Sequence, residues 1–329
     1  MTEENSSAFI PPSIYHEPLL DGASWTHFSP VPPSLLSTDT ETNTKAPCCL
    51  GVDEAGRGPV LGPMVYGVFY LPIDGSDTLL RETHHFDDSK VLTASFRTSL
   101  LRTLCTPSSD LHTQCGWATN SLSARSIAAN MLKPNTYNLN AQAMDATIAL
   151  IKGVIDRGVN IQEIYVDTIG QPATYQAKLQ RIFPTQKITV AKKADSLYAC
   201  VSAASVCAKV TRDVALETLY KARIKARGAV VQDGEVDEAM EWGSGYPSDA
   251  RCVNWMKKNM HPVFGWGSEC RFSWGTAKDM LDGKEGVKFD WPEEDDGSTM
   301  KVTDYFGASD DKTGELAGWY GSPTGLEAF

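Results

Sequence analysis

The residues best placed to do chemistry in this chain are carboxylates at the ends of apolar runs. Asp53 and Glu54 close Cys49-Leu50-Gly51-Val52, Asp167 closes Ile164-Tyr165-Val166, and Asp195 follows Val190-Ala191-Lys192-Lys193-Ala194. A buried charge without a partner is expensive, so such acids ask for a compensating ligand. Each also has a plainer reading: Asp167-Thr168 is a turn sequence, and Asp195 suits a helix N-cap. Taken together they fit the place where open α/β sheets bind ligands, the carboxyl ends of the strands. Carboxylates unaccompanied by His or Cys select hard cations, Mg²⁺ or Mn²⁺. Two such ions side by side are a standard device for in-line phosphodiester cleavage.

Those acids need elements to carry them. Cys48–Asp53, Met64–Leu71, Cys115–Thr119, Ile161–Asp167 and Lys187–Lys192 read as strands. Met144, Ile148, Ile151 and Ile155 recur at helical spacing after Asn140, which suits a cap, and Gly158 ends that helix. Pro172–Phe183, Arg251–Met260 and Thr276–Leu281 read as further helices. Asp195–Ala222 reads as one long helix, rich in the small residues that let a helix lie close to a sheet. Strands first and then strands alternating with helices give an α/β fold, one sheet with helices packed on it. Asp53 and Glu54 then raise a problem, because neighbours on a strand point to opposite faces. They share a site only if the pleat breaks, and Gly56-Arg57-Gly58-Pro59 offers that break.

Composition bounds the rest. The 329 residues are 42% hydrophobic, enough for a sizeable core, and no apolar run is long enough to span a membrane. Eight cysteines and six histidines show no C-x-x-C or H-x-x-x-H spacing, which argues against zinc and for reduced thiols in the nucleus or cytosol. The net charge of −11 is uneven. Residues 1–46 and 279–329 together hold nineteen of the forty-one acids and five of the thirty bases, leaving 47–278 at net +3. With four of its acids neutralised by cations, the rest of that middle is +7, a balance compatible with nucleic acid. Residues 1–46, rich in Ser, Pro and Thr, are expected to be a disordered tail, 47–280 the catalytic domain, and 281–329 an acidic, largely disordered tail. Residues 228–245 read as a surface excursion.

The run D-E-A-G-R-G-P at 53–59 resembles the first motif of type 2 ribonuclease H, the ribonuclease HII family. Further motifs follow in the family order: D-D-S-K-V-L at 87–92, Y-N-L-N at 137–140, Y-V-D-T-I-G at 165–170 and K-K-A-D-S-L-Y at 192–198. V-S-A-A-S-V-C-A-K-V-T-R-D at 201–213, G-S-G-Y-P-S-D at 243–249 and C-R-F-S-W at 270–274 complete the set. The resemblance spans roughly 48–280, and its wording is similar to the eukaryotic catalytic subunits of the family. It implies a ribonuclease H-like mixed sheet flanked by helices, with a C-terminal helical extension.

It also implies roles. Asp53, Glu54, Asp167 and Asp195 would be the four catalytic carboxylates, Asp53 bridging two Mg²⁺ or Mn²⁺ ions and the others completing their shells. Gly56, Arg57 and Gly58 would contact the 2′-hydroxyl and adjacent phosphate of a ribonucleotide, and Tyr246 would bond that hydroxyl and stack on the next deoxyribose. Lys90, Lys209 and Arg212 are candidate phosphate contacts, the last two sharing a helix face. The expected reaction is hydrolysis on the 5′ side of ribonucleotides, in RNA–DNA hybrids or singly embedded in duplex DNA, leaving 3′-hydroxyl and 5′-phosphate ends. Expected partners are two accessory subunits in a heterotrimer, acting in the nucleus. T-M-K-V-T-D-Y-F at 299–306 resembles a sliding-clamp-binding box, with Val302, Tyr305 and Phe306 at its apolar positions and Thr299 where Gln is usual. Two other readings stay open at this point: a metal nuclease of the same superfold acting on structured DNA, and a non-catalytic scaffold subunit.

Overall fold

The computed structural model describes residues 9–39, 43–86, 92–135, 137–168, 170–226, 240–284 and 286–287. Among them six strands form one sheet: β1 (Trp25–Phe28), β2 (Cys48–Ala55), β3 (Met64–Pro72), β4 (Gly116–Leu122), β5 (Ile161–Asp167) and β6 (Lys187–Ala191). Their spatial order is β1-β4-β3-β2-β5-β6. The first four pair antiparallel, whereas β2, β5 and β6 are parallel, so the sheet is mixed. The parallel half ends at one edge, which brings the acids at the ends of β2 and β5 together.

Helices cover both faces. In chain order they are α1 (His16–Leu20), α2 (Pro33–Leu36), a π-helical turn (Thr78–Thr83), α3 (Ala94–Leu104), α4 (Asp110–Gln114), α5 (Ala124–Met131) and α6 (Leu139–Asp156). They continue as α7 (Pro172–Ile182), α8 (Ala194–Leu197), α9 (Ala199–Ala226), α10 (Ala250–Asn259) and α11 (Gly275–Leu281). On one face Leu50, Val52 and Val68 pack with Leu150, Ile151 and Val154 of α6 and Leu179 of α7. On the other, Phe69 and Trp117 pack with Leu101 of α3 and Val201, Ala204 and Val206 of α9. The small residues of α9 have the expected purpose. A Cβ at Gly51 would lie 2.3 Å from the Cys200 carbonyl, and one at Gly67 2.5 Å from Ala204 O, so helix and sheet backbones nearly touch. The second half of α9 carries Leu216 into a separate cluster with Trp242, Trp255, Met256 and Trp266, which docks the C-terminal helices.

Several expectations change. Residues 9–39 are folded rather than a disordered tail. β1 pairs with β4, Trp25 is buried and its indole N–H donates to Ser13 O at 2.8 Å, and the Ser13 and Thr211 hydroxyls bond at 2.7 Å. Single anchors (Ile14, Leu19, Trp25, Leu35) hold this segment, and isolated anchors leave no periodic signal. Residues 1–8, 40–42 and 227 lie outside the described residues, as do 228–239 of the predicted excursion. Within its remainder Trp242 is fully buried, which makes that part core. Helix α6 is capped by the Asn138 side chain, not Asn140. The predicted long helix is broken at Tyr198, which is extended (φ −123°) and stacks on Tyr165 at 4.1 Å. Asp195 therefore sits inside the short α8, not at a cap.

The folded N-terminal segment carries a pH-dependent prediction. His27 on β1 is buried against Trp117, accepts or donates one bond with the Tyr15 hydroxyl, and its Nε2 has no partner. Burial lowers its pKa from 6.5 to about 4. The unfolded chain therefore binds more protons than the folded one between those values. The contribution of neutral His27 is complete above pH 6.5 and is lost as pH falls through that window, up to about 3 kcal/mol in all. Denaturation midpoints at pH 7 and pH 5 should differ more for the wild type than for His27→Phe; equal differences would remove His27 as the cause.

Candidate active site

β2 keeps its pairing with β3 through Ala55↔Val65, beyond both Asp53 and Glu54. The pleat is unbroken between them, contrary to expectation, so the two side chains leave opposite faces. Asp53 faces α9, where the Ser205 hydroxyl hydrogen-bonds it. Glu54 faces α6 and α7 and lines a cleft of about 610 Å³ with Arg57 and Asp167. The acids meet across the end of the sheet instead of on one face of it. Burial, then the Glu54 carboxylate, then Asp167 raise Asp53 well above the usual carboxylate range, against the Ser205 hydrogen bond. Glu54 is pushed up to about 7, chiefly by burial, with Arg57 opposing the shift and Asp167 adding to it.

Backbone bonds fix these carboxylates. Asp53 Oδ1 accepts from Glu54 N at 2.7 Å, and Asp195 Oδ1 from Ser196 N at 3.1 Å. Asp167 Oδ1 accepts from Ala194 N at 2.9 Å, which ties the end of β5 to α8 and so to Asp195. The Tyr165–Tyr198 stack joins the same two elements, and Arg81 of the π-helical turn donates to Leu197 O at 2.8 Å. Asp53 and Asp195 are only 6% and 3% exposed. An all-oxygen, desolvated and mutually repelling donor set suits a hard divalent cation, whose charge removes the repulsion. Among the described residues no three His, Cys, Asp or Glu side chains stand in one metal-sized cage. The fit rests on donor chemistry and on the coupling of Asp53, Glu54 and Asp167.

Beside the acids, the loop after β2 turns at Gly56, whose φ of +79° and 2.8 Å clearance to Pro63 O exclude a side chain. The loop is gripped from below by Arg271, fully buried, which sequence reasoning missed. Its guanidinium donates to Gly56 O at 2.6 Å, Arg57 O at 3.0 Å and Gly62 O at 3.1 Å. Trp274 Nε1 donates to Gly58 O at 3.0 Å. A Cβ at Gly58 would lie 3.2 Å from the Tyr246 ring, so the predicted tyrosine does stand over the glycine loop. The only advance sign of Arg271 was an arginine amid apolar neighbours in C-R-F-S-W.

The other predicted contacts divide. Lys209 is half-buried on α9, one turn beyond Ser205 and so on the Asp53 side. Arg212, by contrast, is 6% exposed, donates to Ser244 O at 2.6 Å and pairs with Asp213. Its guanidinium lies 5.7 Å from the Tyr246 ring centre. It holds the tyrosine loop instead of offering a free cation to phosphate, because its helix face meets the 243–246 turn. Lys90, and Val302, Tyr305 and Phe306, lie outside the described residues.

Arg57 also has a partner that the cap reading of Asn140 hid: its Nη2 donates to Asn140 Oδ1 across the cleft. A hydrogen bond to a charged group is worth about 1.5–3 kcal/mol, and a partly exposed one sits at the low end. Asn140→Ala should therefore lower Tm by about 3–6 °C and, by leaving Arg57 unheld in the cleft, raise KM severalfold. A KM unchanged by the substitution would make the contact incidental.

Comparison with known proteins agrees with this geometry. A family model described as "Ribonuclease HII" matches residues 50–277. A ribonuclease H2 subunit of Neurospora crassa is 59% identical over 334 residues, covering 99% of each chain. Its counterpart of the same name in Schizosaccharomyces pombe is 46% identical, covering 92% of this chain and 86% of that one. Among solved structures, the "ribonuclease H2 from Pyrococcus horikoshii OT3" superposes with a TM-score of 0.55 at 27% identity, over 71% of this chain and 97% of that one.

Proposed function

Since the chain belongs to the ribonuclease HII family and is a ribonuclease H enzyme, we propose that it cuts on the 5′ side of ribonucleotides. Its substrates are RNA–DNA hybrids and duplex DNA holding single ribonucleotides, and its products end in 3′-hydroxyl and 5′-phosphate. The observation that carries this reading is the coupling of Asp53, Glu54 and Asp167 at the end of the parallel strands, beside a glycine loop faced by Tyr246.

Asp53, Glu54, Asp167 and Asp195 would hold two Mg²⁺ or Mn²⁺ ions. When bound, such ions lower the pKa of an attacking water and stabilise the leaving 3′-oxygen. The chain's own residues do the rest. The Gly56–Gly58 backbone approaches the ribose, because no Cβ intervenes. Arg57, held by Asn140, faces the adjacent phosphate. Tyr246 bonds the 2′-hydroxyl, the one local group that separates RNA from DNA, and its ring covers the next, deoxy, sugar. Lys209 meets the backbone on the α9 side, and Lys90 is its counterpart from the 87–92 motif.

The chain serves as the catalytic member of a nuclear heterotrimer with two accessory subunits, and 299–306 engages the sliding clamp through Val302, Tyr305 and Phe306. Among the described residues no helix is long and apolar enough to cross a membrane. The deciding assay compares a duplex holding one ribonucleotide with the same duplex in all-DNA form, in Mg²⁺. Cleavage 5′ of the ribonucleotide alone is expected; equal cutting of both duplexes would sink the reading.

A further inference from the structure

Tyr246 is 37% exposed, so packing of its ring alone does not aim it. Its direction is set by the backbone of the 243–246 turn. Two sides of that turn are held by elements already described. The Gly245 carbonyl accepts from Val60 N at 2.9 Å and Leu61 N at 3.2 Å, just beyond the glycine loop. Arg212 takes the Ser244 carbonyl from α9 at 2.6 Å. The amide side of Ser244 is held by Asp249, which has no part in the proposed chemistry.

Asp249 caps α10, and a cap needs only one oxygen. Its Oδ1 serves as that cap, accepting from Arg251 N at 3.0 Å. Its Oδ2 accepts instead from the turn, from Ser244 N at 2.9 Å and from the Ser244 hydroxyl at 3.0 Å. The Asp249 amide donates to Tyr246 O at 3.0 Å, so side chain and backbone of one residue hold the tyrosine turn at two points. The Arg251 guanidinium donates to both oxygens, at 3.3 and 3.1 Å. These donors, the Ser244 amide first, hold the carboxyl well below the usual carboxylate range. The approach is tight: a Cβ at Gly243 would lie 2.3 Å from Asp249 Oδ2. Ser or Asn caps a helix about as well as Asp. Only a carboxylate adds a second acceptor oxygen, and here that oxygen faces the turn.

We propose that Asp249 is a positioning residue for substrate choice: it fixes the Ser244 amide and so aims Tyr246 at the sugar that follows the ribonucleotide. It touches no substrate itself. The inference rests on the role proposed above for Tyr246 and deepens it, since discrimination then depends on a clamp of which α10 supplies the third side. Released from that side, the turn lets the ring leave its place over Gly58, and the junction between ribose and deoxyribose is read less sharply.

The test measures kcat/KM of the enzyme in Mg²⁺ on a duplex holding one ribonucleotide and on a uniform RNA–DNA hybrid, and takes their ratio. Only the first substrate has a deoxy sugar after the ribonucleotide for the ring to cover. Asp249→Ser keeps a capping oxygen for Arg251 N and is too short to reach Ser244. It should lower the ratio about tenfold, as Tyr246→Ala does, and the double variant should lower it no further than Tyr246→Ala alone. A residue that served only the stability of α10 would lower Tm and slow both substrates alike, leaving the ratio where it was. If Asp249→Ser keeps the wild-type ratio while Tyr246→Ala loses it, or if the two effects multiply in the double variant, the proposal for Asp249 is wrong and the role of Tyr246 stands. If neither single variant changes the ratio, both fall together.

Discussion

Asp53→Asn is expected to lower kcat on a single-ribonucleotide duplex by roughly a thousandfold, about 4 kcal/mol of transition-state stabilisation. Asp53 is the acid whose charge is most strongly disfavoured by its surroundings: it is desolvated and repelled by both Glu54 and Asp167. A residue kept in that state serves the ligand that neutralises it, not the fold. Asparagine keeps the shape and still accepts the Glu54 amide through its oxygen, so the site survives without one charge. In chelator the variant should melt about 2–4 °C above the wild type, the gain from about 1 kcal/mol of relieved repulsion. In Mg²⁺ the order should reverse, because only the full carboxylate set gains stability from the ion. Activity assays with thermal melts in both buffers check this. Full activity would remove Asp53 from the site, and a collapsed Tm in chelator would make it a folding residue.

How much of this could be read in the sequence depends on how local each cause is. β2 was legible because a strand buried on both faces is a continuous apolar run, and β5 because its Ile164-Tyr165-Val166 end is apolar; a carboxylate closing either stands out. β1 was not, since it is a four-residue edge strand held by Trp25 and by its register with β4. Gly56 announced a sharp turn, but not that pairing would persist to Ala55 and send Asp53 and Glu54 to opposite faces. The break at Tyr198 has no local signature either; its ring stacks on Tyr165, two helices and a strand away. Arg212 shows the same limit from the other side. Helical spacing gave its face, and only the tertiary fold shows that the face meets Ser244 instead of solvent.

Arg271 is the residue whose loss should injure the fold and the site together. Its guanidinium is fully buried and spans three carbonyls, those of Gly56, Arg57 and Gly62, with the Trp274 ring 4.8 Å away. Burial lowers its pKa to about 9, so it remains a cation at neutral pH. Arg271→Met keeps the apolar volume and strands those carbonyls without donors, at a cost of about 3–5 kcal/mol. For a domain of this size that is a fall in Tm of roughly 10 °C. Arg271→Lys should recover part of it, since one ammonium keeps the charge but lacks the planar fork that serves three acceptors. Below the melting range kcat/KM should still fall by roughly a hundredfold, because a loop misplaced by about 1 Å would misalign the ribose that we propose it holds against Tyr246. The stability loss and the catalytic loss have separable causes. A variant that melted early yet kept its kcat/KM would show that the glycine loop holds its own shape, with Arg271 needed only to join it to the C-terminal helices.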